Sequence, residues 1–418
     1  MSTQKQNYIR ELLPPTLKYL TDKQDCPFSL NDIRKKVAST NGYIEMPSDF
    51  SIIDNPEESY DTLRKIIRAL LIDDIKELIL DYKSCKNIEL STLVLHEIIL
   101  RDYMSFKRRC RNTHRNKKDI FPNFKGKNTN NSKEISELLW SVGIASILGT
   151  EKIKFENVVP YPLRIHSIGK NSNENKRMEQ KELDTTELVE YVIECLNKMG
   201  KRLTPQKREA LCTIIGEILI NAEEHSTEKR RFSIGFFREV NDNKHHGLFR
   251  LVILNFGRTI YEKFKSEDCP NKSIVNQMQE LSRKYTRRLL FLPGSFEEES
   301  LWTLYALQEG VTSVSKDSYK RGNGSINFIE SFFSIKGNNK QDSVSKMTLL
   351  SGKTKIRFDG KYAIAEKING TEKFKVMTFN NEGNIESKPD SDCVCQTNYY
   401  FPGTMLSVKL LFNEDDIQ

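Results

Sequence analysis

Glu217-Ile-Leu-Ile-Asn221-Ala-Glu-Glu-His225 is the stretch from which the fold of this chain is read. Glu217, Asn221 and His225 fall four residues apart, so at about 3.6 residues per turn they stack along one side of a helix. Leu211, Ile214, Ile215, Ile218, Leu219 and Ala222 fill the opposite side and are candidate core. A carboxylate, a carboxamide and an imidazole in line on an apolar helix need partners, because buried polar groups without them are costly. A bound metal-nucleotide is one such partner.

Working outward, two helices are expected at Leu188 to Met199 and Pro205 to His225, followed by strands at Arg231 to Arg238 and Leu248 to Leu254. A charged helical region covers Ser273 to Gln308. Strand-like runs close the chain at Lys346 to Leu350, Lys353 to Phe358, Tyr362 to Ile368, Phe374 to Phe379 and Gly403 to Phe412. This order predicts an α/β sandwich, its sheet mixed or largely antiparallel and its helices on one face. Three further polar stretches punctuate it. Asn255-Phe-Gly257 ends a strand, where glycine lets the backbone pass close to a planar ring while the side chain bonds the ring's edge. Lys320-Arg321-Gly322-Asn-Gly324 opens a helix near Ser325 and would present free backbone N–H groups to phosphate. Gly403-Thr404 enters the last alternating strand.

In this order and spacing the four stretches resemble the ATP-binding fold shared by DNA gyrase, heat-shock chaperones, histidine kinases and MutL-type proteins, the GHKL superfamily. The resemblance covers residues 185 to 412, and Glu-x-x-x-Asn-Ala-x-x-His looks most like the N-box of anti-sigma-factor serine kinases. It implies ATP and Mg²⁺ as cofactors, with Asn221 as the magnesium ligand, a hard-oxygen role that suits a carboxamide. It implies Glu217 as general base, with Glu224 or His225 assisting on the phosphates. Asn255 stands where the family usually has an Asp receiving the adenine amino group, and Thr259 where a second glycine is expected. Gly257 belongs to this first glycine box. Lys320 or Arg321 would meet the phosphates beside Gly322 and Gly324, and the segment from Gly310 to Arg321 would act as a lid. Thr404 belongs to the closing strand.

Residues 1 to 155 form a separate small α/β domain in this reading, residues 156 to 184 a linker, and residues 185 to 418 the ATP-binding domain. Asp61 to Ile72 is expected as helix, Glu77 to Asp81 as a buried strand, Ser91 to Met104 as helix, and Ile135 to Trp140 as helix. The strand-loop-helix from Glu77 to Leu95 looks like that of a STAS domain, the fold of anti-sigma-factor antagonists. That likeness puts a phosphorylatable hydroxyl at Ser91 or Thr92, although the flanking Asp-Ser-Ser-Gly type sequence is absent; the plainer reading of Ser91 is a helix N-cap.

The chain has 418 residues, 37% hydrophobic and 29% charged, the composition of a polar globular protein. No apolar run reaches a membrane span and the start is not a secretory signal, so a cytoplasmic protein is expected. Eight cysteines without a Cys-x-x-Cys pair point to reduced thiols rather than a disulfide framework or zinc site. Net charge is +8, unevenly spread, with a basic block from Lys107 to Lys127; the basic, Asn-rich segment from Lys107 to Lys133 is expected to break the helical pattern. That block could meet nucleic-acid phosphates; the plainer reading is a solvated linker within an insertion at 107 to 133. Three functions stay open: an ATP-Mg²⁺ switch regulating a partner protein through lid closure, a serine/threonine kinase of anti-sigma type, or a nucleic-acid-linked bacterial defence component. A homodimer is compatible with each.

Overall fold

Near its start the chain alternates short strands with long amphipathic helices, the pattern that builds a parallel sheet, because parallel neighbours need a crossover between them. The computed structural model describes residues 3–113, 120–127, 132–145, 153–167, 174–224, 226–227, 229–241, 245–286, 296–311, 326–327, 329–330, 342–369 and 372–413. The chain is mixed α/β, with parallel and antiparallel sheets. It divides into two units, Met1–Arg164 with Ile234–Phe236, and Ile165–Ser233 with Phe237–Gln418.

The first unit begins with helices α1 (Thr3–Leu12), α2 (Pro15–Asp22) and α3 (Leu30–Lys36). Strands β1 (Tyr43–Glu45) and β2 (Asp49–Phe50) lead to helix α4 (Pro56–Leu71), and strands β3 (Glu77–Asp81) and β4 (Asn87–Ile88) to helix α5 (Leu90–Thr113). Strand β5 (Asn123–Lys127) and helix α6 (Lys133–Ser141) follow. Pro56 opens α4 and Glu57 and Glu58 occupy its first turn, where a fixed φ and negative charge both suit a helix start. Its inner face buries Leu63, Ile66, Ile67 and Leu70, each contributing about 1.5–3 kcal/mol of transfer free energy. The sheet order is β1-β3-β5, all parallel, with Tyr43 opposite Ile79 and Leu78 opposite Phe124.

Two expectations change here. Helix α5 does not stop at Met104 but runs through Lys107 and the arginines after it to Thr113. Lys107 is not a solvated or phosphate-facing residue: it is buried, and its Nζ donates to Pro122 O at 3.0 Å and Asn123 Oδ1 at 2.7 Å. Lys125 and Lys127 lie on β5, a strand the sequence does not announce, and pair with Glu77 at 2.7 Å and Asp81 at 3.3 Å. Residues 114–119, the remaining part of the basic segment, lie outside the described residues.

Strand β6 (Val158–Ser167) and helix α7 (Glu174–Lys198) occupy most of the stretch expected as linker. Helix α8 (Pro205–Glu224) and strands β7 (Arg230–Asn241) and β8 (His245–Phe256) follow. Next come helices α9 (Ile260–Lys265), α10 (Lys272–Thr286) and α11 (Glu298–Ala306). Strands β9 (Lys346–Phe358), β10 (Ala365–Asn369), β11 (Glu372–Val376) and β12 (Val394–Asn413) close the chain. The main sheet runs β6-β7-β8-β12-β9, with β12 antiparallel to both β8 and β9; β10 and β11 pair separately. Two of the expected closing strands are one. The runs on either side of Ser351-Gly352 join as β9, and Gly352 takes φ +59° where the β12 register shifts. Tyr191 of α7 stacks on Phe249 of β8 at 5.5 Å and donates to Arg250 O at 3.0 Å, fixing that helix on the sheet.

Candidate functional site

Helix α8 buries Leu211, Ile215, Ile218, Leu219 and Ala222, which is the apolar face its sequence dictates. Glu217 and Asn221 sit one turn apart beside that face, both half-buried. Neither side chain makes a hydrogen bond or ion pair among the described residues. Burial pushes the Glu217 carboxyl above its ordinary value. His225 lies outside the described residues, as do Lys320, Arg321, Gly322 and Gly324, so most of the expected lid and the second glycine box do too.

Beyond α8 the chain folds back onto the end of β8. Thr227 N donates to Phe256 O at 3.0 Å, and Ser226 pairs with Gly257 in an antiparallel bridge. Gly257 N in turn donates to Pro402 O at 3.1 Å. The end of α8, the turn Asn255-Phe256-Gly257 and the run Pro402-Gly403-Thr404 therefore meet at one place. Gly403 is required there: a Cβ on it would come within 2.0 Å of Asn255 O.

Asn255 stands opposite Thr404, and Thr404 opposite Ser351, so the three side chains form a polar row across β8, β12 and β9 on one face of the sheet. Ser351 Oγ lies 3.2 Å from Thr404 Oγ1, donates to Gly403 O at 3.0 Å and accepts from Ile260 N at 2.9 Å. Asn255 is 2% exposed, and its Nδ2 has no partner among the described residues. A buried amide donor left unpaired carries its full desolvation cost.

Thr259, expected where a second glycine would stand, is the N-cap of α9. Its hydroxyl accepts from Glu262 N at 3.1 Å and Glu262 returns a bond to Thr259 N at 2.9 Å, a reciprocal capping box. The residue is there to start a helix, which a glycine would do less well.

A second polar cluster closes the end of α8. Arg231, 2% exposed, donates from Nη1 to Glu223 and from Nη2 to Asp184 of α7. Asp184 also accepts from Gln180 Nε2 at 2.8 Å and pairs with His166 Nδ1 of β6 at 2.9 Å. Burial pushes the Asp184 carboxyl up, but the bonds from His166 and Gln180 and the charges of His166 and Arg231 outweigh it and hold it below its ordinary value. Glu223 is thus tied two residues from Asn221. Sequence reading singled out neither Ser351, Arg231 nor Asp184, because their partners are distant in the chain and only the strand pairing brings them together.

Ser91 and Thr92, the candidate phosphoacceptors of the first unit, are fully buried and engaged. Ser91 Oγ donates to Glu89 Oε2 at 2.8 Å, and Thr92 Oγ1 accepts from Ile52 N at 2.6 Å. Ser91 is not the N-cap; Glu89 holds that position, its carbonyl accepting from Thr92 N and Leu93 N. Neither hydroxyl is presented for modification.

Among the described residues no group of three His, Cys, Asp or Glu side chains is arranged to hold a metal, and no helix is long and apolar enough to cross a membrane. Comparison with protein-family models, curated proteins and solved structures gives no match.

Proposed function

We propose that residues 185 to 412 are a GHKL-type module that binds ATP with Mg²⁺ and regulates a partner protein through closure over the nucleotide. The observation that carries this reading is the pair Glu217 and Asn221, half-buried on one face of α8 and without a partner among the described residues. Their helix ends against the turn that holds the buried Asn255, whose Nδ2 is unpaired among the described residues. A single carboxamide ligand suits magnesium, which keeps several waters and takes its other ligands from substrate phosphates. Bound there, the ion would supply charge to offset the triphosphate. Asn221 would hold it by Oδ1, Asn255 and Thr404 would face the base, and Gly257 would let the backbone approach the ring. Glu217 would take the proton from an attacking oxygen. Its raised carboxyl brings it nearer the pKa an efficient general base needs. Nucleotide binding switches a partner only so far as it binds the closed state more tightly than the open one.

Glu217 also supports a second reading, transfer of the γ-phosphate to a Ser or Thr hydroxyl of the partner, since the same base serves water or a hydroxyl. The first unit is then regulatory, without Ser91 as the acceptor. Contact with nucleic acid through residues 107 to 127 is the least supported, because Lys107, Lys125 and Lys127 are already paired within the protein.

The test is thermal unfolding of the full chain with MgATP. A ligand present at about 100 times its Kd stabilises by about 2.7 kcal/mol, so a clear rise in Tm is expected. No rise at millimolar MgATP would sink the proposal. Intact-mass measurement of candidate partners after incubation then separates phosphotransfer from hydrolysis.

A further inference from the structure

We infer that Asn255 makes the base end of this site accept 6-amino and 6-oxo purines alike, so that ATP and GTP compete for it on near-equal terms. This rests on the nucleotide reading above and extends it to the choice of base. A carboxylate at this position would offer acceptors only; a carboxamide offers one acceptor, Oδ1, and one donor, Nδ2. What decides specificity is whether the protein fixes which of the two faces the base.

Nothing described fixes it. Asn255 is buried, its Nδ2 is unpartnered, and no side-chain hydrogen bond of Asn255 is formed among the described residues. The hydroxyls beside it in the polar row are occupied with each other and with the backbone: Ser351 with Gly403 O, Ile260 N and Thr404 Oγ1. Turning the amide over about its last side-chain bond therefore breaks no protein hydrogen bond. In one orientation Oδ1 accepts from a 6-amino group while Nδ2 donates to ring N1. In the other, Nδ2 donates to a 6-oxo group while Oδ1 accepts from N1–H. Both edges are matched by two bonds, and both give the orphaned donor an acceptor. A site committed to one edge behaves differently, rejecting the mismatched analogue by about 10⁴-fold because its buried groups are left unpaired.

The experiment is competition of MgATP and MgGTP against a fluorescently labelled ATP on the full chain. Affinities within about tenfold of each other, a difference under about 1.4 kcal/mol, are expected. A larger preference for either nucleotide overturns the inference while leaving the nucleotide reading intact. Failure of the labelled ATP to bind at all sinks that reading itself, and this inference with it. Asn255→Leu, close in size but without donor or acceptor, is expected to weaken both nucleotides alike, by about tenfold or more. A variant that binds either nucleotide as wild type does overturns it.

Discussion

At the start of α5, Ser91 donates to Glu89 and Thr92 accepts from the amide of Ile52; on α8, Glu217 and Asn221 bond to nothing among the described residues. Both places carry small polar groups on otherwise apolar helices, and in sequence both look functional. Satisfaction separates them. A buried hydroxyl that closes a neighbouring loop serves the fold, because removing it leaves an orphan amide. A half-buried carboxylate and carboxamide one turn apart, each without a partner among the described residues, close nothing in the fold and are the groups proposed above to meet the nucleotide. The contrast recurs within α8 itself, where Glu223 is tied to Arg231 only two residues beyond the open Asn221.

The contrast breaks most visibly at Glu217. Glu217→Gln is expected to lower turnover by about 10²- to 10⁴-fold while changing nucleotide affinity little. Phosphate release and calorimetry on the same preparation check both halves, and joint loss of binding would make Glu217 structural. The base must be deprotonated to act, and its folded pKa is raised, so the acid limb of the rate profile should lie above the ordinary glutamate value of 4.5. The Gln variant should lose that limb.

Arg231→Ala comes next. Removing the one arginine of this charge cluster leaves Glu223 without its cation and Asp184 with only His166 and Gln180, and should destabilise the second unit by about 3–5 kcal/mol, measured by urea unfolding. A loss under about 1 kcal/mol, the range of an exposed pair, would show that the cluster is solvated. Thr92→Val keeps shape but orphans the Ile52 amide, with an expected cost of about 1–3 kcal/mol and no change in nucleotide binding. A change in binding there would erase the distinction drawn between α5 and α8.

The smallest expected effect is one of pH. Asp184 is held below its ordinary value in the folded protein, so its contribution is complete above the unfolded value of 3.8 and fades as pH falls through the lower folded value. Asp184→Asn should flatten the acid end of the stability curve. An unchanged acid slope would mean that other carboxylates dominate there.

Much of the second unit was legible. The heptad-like spacing of Leu211, Ile215, Ile218 and Leu219 gives α8, and Asn255-x-Gly257 marks the end of β8; Gly403-Thr404, expected to open the last strand, instead lies within β12, which starts at Val394, and meets Asn255 there in register. Local pattern carries this far because each signal is contained within a few residues. It fails where the partner is remote. Strand β5, Asn-Phe-Lys-Gly-Lys, has almost no β-branched or apolar content and exists because Leu78 and Leu80 of β3 need a neighbour. The basic end of α5 stays helical because Lys107 buries its stem and finds Pro122 and Asn123 for its ammonium. Asp184 and Arg231 lie 47 residues apart, and no spacing rule joins them.

Calorimetric binding of ATP to wild type and Asn221→Ala, each with and without Mg²⁺, tests the central claim most directly. Asn221 has no partner among the described residues, so its loss should leave Tm without ligand almost unchanged, within about 0.5 kcal/mol of stability. Wild type should bind ATP more tightly when Mg²⁺ is present, and the variant should lose most of that gain. A variant that folds normally and binds MgATP as wild type does would contradict the account.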